Sequence, residues 1–594
     1  MAESPLEKSE GVIGCTVFSK GKALPSGTVV LSADVSYRIN GIAKATIVLD
    51  DGDMPTGKFS LCESDELKPG AEIAIKAGYE TQLDEVFKGT IVKLGIVVSS
   101  KGRSCTKIEC RSKAIAMTCS RKNANYLDKS DDDIVKALCG NYGVKVTSKI
   151  GGVKHKELLQ YYCSDWDFMM ARAEANGCWV VDDLDGIAVE KIAPKGSSAL
   201  SLTWGKDIVE FNAFVDATNQ VKKVEARAWD ISKQDVISGK SSQQSLHEVG
   251  NLDNGALAKV LNVPSQLIQL NSQIEKAELD SWATAEQLKN EFSRICGSVT
   301  CIGSLKVKLG GLVELKYLGE RFNGKALVSG IHHHMEPGVW TTKFSFGMEK
   351  VWHVEKFNVE APSCSGYNCG VSGLLTGVVI QVHDDPEKMN RVKVKIPLMQ
   401  NEQEGVWVRL GSPYASNGFG CMMFPEVGDE VILGFFNADP SSAVILGSLY
   451  SAKKATPQKL EQKNNVKMFL TREKLSVEFN EEKKSITIQT PGNRKFVLDD
   501  DQKKIIVDDS KNTIELSDSG VKISTPKDVT FDVKGKFNVD AKGGINLTSV
   551  GDVKGEGTNV NFTAKVGFAA KGNATAELSA SGQTTVKGAM VMIN

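Results

Sequence analysis

The chain has 594 residues, room for about four domains at roughly 150 residues each. Its 72 Lys and Arg balance 73 Asp and Glu, a formal charge of −1, which excludes a chain-wide basic footprint for nucleic acid or anionic membrane. Hydrophobic residues at 41% and charged residues at 24% fit a soluble globular class.

The N-terminus, MAESPLEKSEGVIG, has no basic start followed by an apolar run, so no cleaved signal is expected. No stretch of 18 apolar residues occurs, so no membrane-spanning helix is expected. The 13 cysteines are expected as reduced thiols. Three pairs share C-x4-C spacing: Cys105/Cys110, expected on opposite faces of a strand; Cys296/Cys301, expected to straddle a helix end; and Cys364/Cys369, in a loop. None has the partners for a four-ligand zinc site.

In chain order, residues 1–129 are predicted as a first barrel, because short strand-like runs such as GTVVLSADVSYRIN and GIAKATIVLDDG alternate with Gly, Pro and Asp. Residues 130–199 form a helical, α+β insertion. Ser130 with Asp131 to Asp133 predicts a helix start, followed by Ile134, Val135 and Leu138 at helical spacing. A second helix is predicted over LLQYYCSDWDFMMARAEANG, with Leu158, Tyr162, Trp166, Met169 and Ala173 on one face and Gly177 at its end. CWVVDDLDGIAVEKI predicts a hairpin turning at DLDG. Residues 200–358 are predicted as a second barrel, interrupted by a helix around TAEQLKNEFSRIC. A linker over 359–372 precedes five strand-like runs in 373–450, the pattern of a small closed barrel such as an OB-fold. A polar connector follows over 451–463.

Residues 464–594 repeat a short unit. Apolar couples at i and i+2 recur about every nine residues: Met468/Leu470, Val477/Phe479, Ile486/Ile488, Phe496/Leu498, Ile505/Val507 and Ile514/Leu516. The step then shortens to about eight: Val521/Ile523, Val529/Phe531, Phe537/Val539 and Ile545/Leu547, and later Val560/Phe562. Strand alternation would send these side chains to one face and Thr, Asp, Lys and Asn to the other. A rung of this length is too short for a full coil of a single-chain β-helix, so one chain supplies one face and three chains wound together would close the core. About fifteen rungs would make a rod of about 70 Å. The alternative is a single-chain antiparallel meander.

The order of parts resembles the VgrG-type spike and hub proteins of contractile injection systems, including type VI secretion and the hub-plus-spike proteins of phage tails. The resemblance rests on TGVVIQVHDDPEKMNRVKVKIP, PEVGDEVILGFFNADP and VILGSLY in the barrel segment, on SDWDFMMARAEANGCWVV and GIHHHMEPGVWTTKFSFG upstream, and on the C-terminal ladder. It implies a mainly β, multidomain homotrimer with two hub barrels, a helical insertion, an OB-fold and a triple-stranded β-helical needle. It implies a trimer that caps a hexameric tube protein, meets baseplate proteins and punctures an envelope while carrying secreted effectors. Assembly in the cytoplasm is then expected, followed by delivery outside the cell, into a target cell, or as part of a released particle. The resemblance does not separate a type VI system, an extracellular particle and a phage tail. A trimeric β-fibre adhesin or tail fibre binding surface glycans is the alternative; it explains the ladder but neither the barrel nor the helical insertion. A β-helical polysaccharide lyase is a third, and it lacks the clustered catalytic carboxylates, His or Arg it would need.

No nucleotide-binding, zinc-protease or nucleophile-elbow motif occurs. Only 17 residues separate the barrel from the first rung, too few for an inserted catalytic domain. No enzyme activity, catalytic residue, cofactor or bound metal is therefore expected. The run His332, His333, His334 alternates faces if it lies in a strand, so one His is expected packed and the others wet, with no metal unless further partners converge. Asp384/Asp385 and Asp499 to Asp501 are expected as solvated turns. The sequence ends AMVMIN. Met590, Val591, Met592 and Ile593, in three copies, would form an apolar plateau, suited to a PAAR-type tip protein; no His or Cys lies there to make a metal-ligated point.

Overall fold

The computed structural model describes residues 2–8, 11–100, 103–242, 248–356, 358–398 and 405–593; His247 lies outside them. The chain divides into two compact units, 1–449 and 450–594.

In the first unit one 14-stranded sheet carries most of the fold. Its order is Glu210–Val215, Ile295–Ile302, Val339–Phe346, Gly324–Glu336, Val30–Arg38, Lys44–Asp50, Ser104–Arg111, Gln82–Val98, Glu72–Tyr79, Ile13–Ser19 and Lys22–Ala23, with three further strands branching from it. The two segments expected as separate barrels are thus continuous. They join where Val30–Arg38 pairs antiparallel with Gly324–Glu336, His334 facing Asp34 and Ile331 facing Tyr37. Alternation explains the strands: Ala33, Val35 and Tyr37 point into the core from one, Ala45, Ile47 and Leu49 from the next. A single apolar core runs from Val17 to Phe346.

The insertion packs beside this sheet. Ser130 caps the helix Asp131–Gly140 through a capping box with Asp133, and Ile134, Val135 and Leu138 are buried as the spacing predicts. The second helix is shorter than expected. It covers only Asp165–Ala175, capped by Ser164, while Lys154–Ser164 is a strand paired with Arg121–Ser130. Leu158 and Tyr162 are four apart, a spacing that serves one face of a helix or one face of a strand equally well. The local pattern could not choose; the partner strand did. Gly177 has a φ of +66° after the helix, the left-handed position that ends it. The hairpin at DLDG forms between Cys178–Asp183 and Gly186–Lys191. The first of these strands lies between two cores, with Trp179 and Val181 in the main one and Cys178 and Val180 in that of the insertion. Burial on both faces is why CWVV is continuously apolar. The strand is stitched to the sheet by Asn40, whose N–H donates to the Val180 carbonyl at 2.7 Å and whose Oδ1 accepts from the Val180 N–H at 2.8 Å.

The predicted late helix is Lys276–Ser293, packed on a three-stranded sheet of Lys223–Asp230, Asp235–Lys240 and Ser265–Leu270. Cys296 and Cys301 do not straddle its end: both lie in the strand Ile295–Ile302, five apart and so on opposite faces. The helix stops at Ser293, before either cysteine.

The segment 375–448 closes as a barrel of the five expected strands, Leu375–Gln381, Val392–Lys395, Val406–Leu410, Glu430–Phe435 and Ala443–Ser448. Val379, Val392, Val394, Val408, Val431, Leu433 and Ile445 fill it. The bore is narrow enough that a Cβ on Gly377 would sit 2.4 Å from the Val394 side chain, so only glycine fits there.

In the second unit, seven five-residue strands from Val466–Leu470 to Gly520–Ser524 form an antiparallel meander. The meander, kept above as the alternative, is thus how the first seven rungs run. A nine-residue step accommodates five strand residues and a short hairpin. Most of the hairpins carry a left-handed residue, such as Lys474, Lys484, Asn493, Lys503 and Gly520. From 525 to 593, where the step is about eight, no residue is in a strand and those from 526 on are exposed. The register also corrects the first rung. Phe469 faces Val477 and Met468 faces Glu478, so Phe469, not the Met468/Leu470 couple, lies on the apolar face.

Candidate functional site

The meander register gathers the apolar couples on one face. Val477 faces Ile488, Phe479 faces Ile486, Ile488 faces Phe496, Leu498 faces Ile505, Val507 faces Ile514 and Leu516 faces Val521. Down its centre the opposite face carries Glu478, Thr487, Val497, Ile506, Glu515 and Lys522, with Lys495, Asp499, Lys504 and Asp508 among the polar residues at the strand ends. Among the described residues nothing covers the apolar face: Phe469 is 59% exposed, Ile488 49% and Val521 70%. The remaining residues expected in a needle core, Ile523, Val529, Phe531, Phe537, Val539, Ile545, Leu547, Val560 and Phe562, are also exposed, Phe531 at 65%. The Phe531 and Phe537 rings lie tilted 5.6 Å apart, and Phe562 and Phe568 stack at 6.3 Å. Met590, Val591, Met592 and Ile593 are exposed as well. A run of apolar side chains this long is unusual on a soluble surface.

The ionisable groups of the first unit are mostly spent on structure. Asp131 holds Arg172 at 2.8 and 3.0 Å and Asn176 at 2.8 Å. Asp165 accepts from Lys122 and Tyr142, each at 2.8 Å, and from Gln160 at 2.9 Å; these bonds outweigh its burial and hold its pKa below the usual carboxylate value. Asp182 behaves oppositely. It accepts from the Ala43 N–H at 2.9 Å and from Ser112 Oγ, but burial dominates and raises its pKa to about 6. Asp385 is not the solvated turn expected. It is nearly enclosed and grips Arg391 at 2.7 Å, with the Met389 N–H at 2.8 Å. Asp384 beside it is exposed and pairs with His383 at 2.7 Å.

The histidine run lies in the strand Gly324–Glu336. His333 is the packed one, buried with Nδ1 2.9 Å from Thr342 Oγ1, and burial lowers its pKa to about 3. His332 and His334 share the other face and are not simply wet. Asp34, on the adjacent strand, is the further partner, 3.2 Å from His332 Nε2 and 2.8 Å from His334 Nδ1. His334 Nε2 lies 3.2 Å from Glu336. Burial lowers the pKa of His332 despite Asp34. For His334 burial is outweighed by the bonds to Asp34 and Glu336, and its pKa is raised. Sequence spacing could find His332 and His334 at i and i+2 but not Asp34, about 300 residues away; only the strand pairing brings it in.

Comparison with known proteins gives two family matches. Residues 9–337 match the family described as the Alg8 N-terminal domain, and residues 375–450 match the type VI secretion system/phage-baseplate injector OB domain. The chain is 37% identical over 78 residues to the type VI secretion system spike protein VgrG3 of Vibrio cholerae, covering 12% of this chain and 8% of that protein. It is 31% identical over 97 residues to the spike protein VgrG1a of Pseudomonas aeruginosa, covering 15% of each. The matches therefore span a small part of these relatives' length. Among solved structures, a tail protein from Neisseria meningitidis is similar with a TM-score of 0.43 at 14% identity, over 58% of this chain and 99% of that one. With more than half its length matched by the first family, the chain belongs to the Alg8 N-terminal domain family, and its closed barrel is similar to that of type VI secretion spike proteins.

Proposed function

We propose that this protein is the homotrimeric spike and hub of a contractile injection machine. The observation that carries the reading is the apolar ladder: seven paired strands with a continuous hydrophobic face that no other described residue covers. Three copies related by a threefold axis would turn these faces inward and make a closed prism. Beyond residue 525 the shorter step would wind the three chains into a β-helical needle, with Val521, Ile523, Val529, Phe531, Phe537, Val539, Ile545, Leu547, Val560 and Phe562 in its core. The segments 1–129 and 200–358, with the insertion 130–199 between them, form the hub that meets the hexameric tube protein and baseplate proteins. The segment 373–450 is the OB-fold that joins hub to needle. Met590, Val591, Met592 and Ile593 dock a PAAR-type tip protein, and secreted effectors ride on the assembly. The role is mechanical, puncturing a target envelope and delivering cargo, without catalysis or cofactor.

The test is the mass of the full-length protein in dilute solution, by mass photometry or sedimentation. Three copies per particle, resistant to dilution, are expected. A monodisperse monomer with the same secondary-structure content by circular dichroism overturns the reading.

A further inference from the structure

We propose that Asp34, His332 and His334 form a divalent transition-metal site that fastens the seam between the two halves of the hub sheet. The three residues each offer one ligand atom, and these atoms lie within 4.8 Å of one another. Two of the separations are 3.2 and 2.8 Å. Donors bound at 2.0–2.1 Å in a tetrahedron stand roughly 3.3 Å apart, so the side chains need move only slightly to accept an ion. Neither loop mobility nor chance surface crowding sets this geometry. His332 and His334 leave the same face of one strand, and Asp34 stands directly opposite His334 in the register of the next.

A second carboxylate completes the pattern from outside. Glu336 takes His334 Nε2 at 3.2 Å. A hydrogen bond there would hold a proton on Nε2 once an ion displaced the one that Nδ1 shares with Asp34, as the outer partners of metal-bound histidines commonly do. The site is half-buried, with side-chain exposures of 43% for His332, 36% for His334 and 34% for Asp34. A fourth position is therefore open to water or to another molecule. Two imidazoles and one carboxylate select zinc, nickel or cobalt over magnesium or calcium. The cations around it are Lys343, opposite His332 across one strand pair, and Lys44, opposite Ser36 across another. The charges of Asp34 and Glu336 offset them.

The placement gives the ion a purpose. Val30–Arg38 and Gly324–Glu336 belong to parts of the chain about 300 residues apart, and their pairing joins the two segments of the sheet. An ion held by both strands crosslinks that pairing, and the long loop it closes makes the crosslink effective.

The probe is zinc ion alone. Full-length protein is dialysed against micromolar zinc at pH 7.5, and metal content is measured for wild type, His332→Ala/His334→Ala and Asp34→Asn. Because the 13 thiols are common to all three, the reading is the difference between them. Wild type is expected to retain about one more zinc per chain than the double variant. Its hub melting transition should rise by several degrees with zinc, and the double variant's should not. Asp34→Asn keeps the side-chain shape and serves if the double variant melts abnormally without metal; it is expected to weaken zinc binding at least tenfold. Equal zinc content in wild type and the folded variants overturns the site.

Discussion

The two units of this chain bury their apolar residues by opposite means. The hub finds cover within its own sequence: Trp179, Phe87, Phe344 and Phe346 are almost wholly shielded. The ladder has as regular a pattern as any hub strand, yet its apolar side chains stay open to solvent. The difference lies in reach. In the hub, strands meet partners hundreds of residues away and a second layer folds over the first. In the ladder, each strand meets only the one before and the one after, so the sheet grows along one direction and never returns to cover itself. In the proposed trimer, the other copies would supply that cover.

The sharpest way to break this comparison is to charge the ladder on one face and then on the other. Ile488→Asp would place three carboxylates near one axis in the proposed trimer, each with a desolvation cost of several kcal/mol. Loss of the trimer is expected by sedimentation. Thr487→Asp, one residue away on the opposite face, should leave the trimer intact. Equal tolerance of both would show that the apolar face does not assemble.

A hub substitution should act differently. Trp179→Ala removes a side chain that bridges from the insertion into the main core, beside Phe292 at 6.2 Å. A loss of about 3–5 kcal/mol is expected, seen as a lowered hub transition in calorimetry. The ladder's transition and the number of copies should be unchanged. A joint shift of both would mean that the two units unfold as one.

The smallest expected effect concerns Asp182. Its folded pKa of about 6 lies above the ordinary 3.8, so the folded hub holds this proton where the unfolded chain releases it. Its contribution to stability is therefore fully present below about pH 3.8 and is lost as pH rises through about 6. Asp182→Asn should stabilise the hub by about 1–2 kcal/mol at pH 7.5, with the gain shrinking towards pH 5. The carboxamide oxygen can still accept from Ala43. A destabilised variant with no pH dependence would count against a buried charge there.

Much of this molecule was legible in its residues where the signal is local. Ser130 with Asp133 announced a helix start, Gly177 a helix end, DLDG a hairpin, and five short apolar runs a closed barrel. The failures have one cause, which is that the deciding partner is distant. Leu158–Tyr162 became a strand because residues 121–130 pair with it. The two hub segments became one sheet through Tyr37 and Ile331. His332 and His334 acquired Asp34 from the same seam, and Asp385 was enclosed by Arg391. Period alone also could not tell a nine-residue step, which sustains hairpins, from an eight-residue step, beyond which the strands cease.

Arg121 offers a last consequence. Its guanidinium donates to the carbonyls of Tyr162, Asn358, Val359 and Glu360, at 3.0, 2.6, 3.1 and 2.9 Å. Three of these four acceptors lie at the point where the chain leaves the hub for the linker. A fork of planar donors spread over consecutive peptides acts as a cable clamp. In the proposed spike, tension arriving along the linker would be shared among several bonds before it reached Val339–Phe346, a strand held on both sides within the sheet.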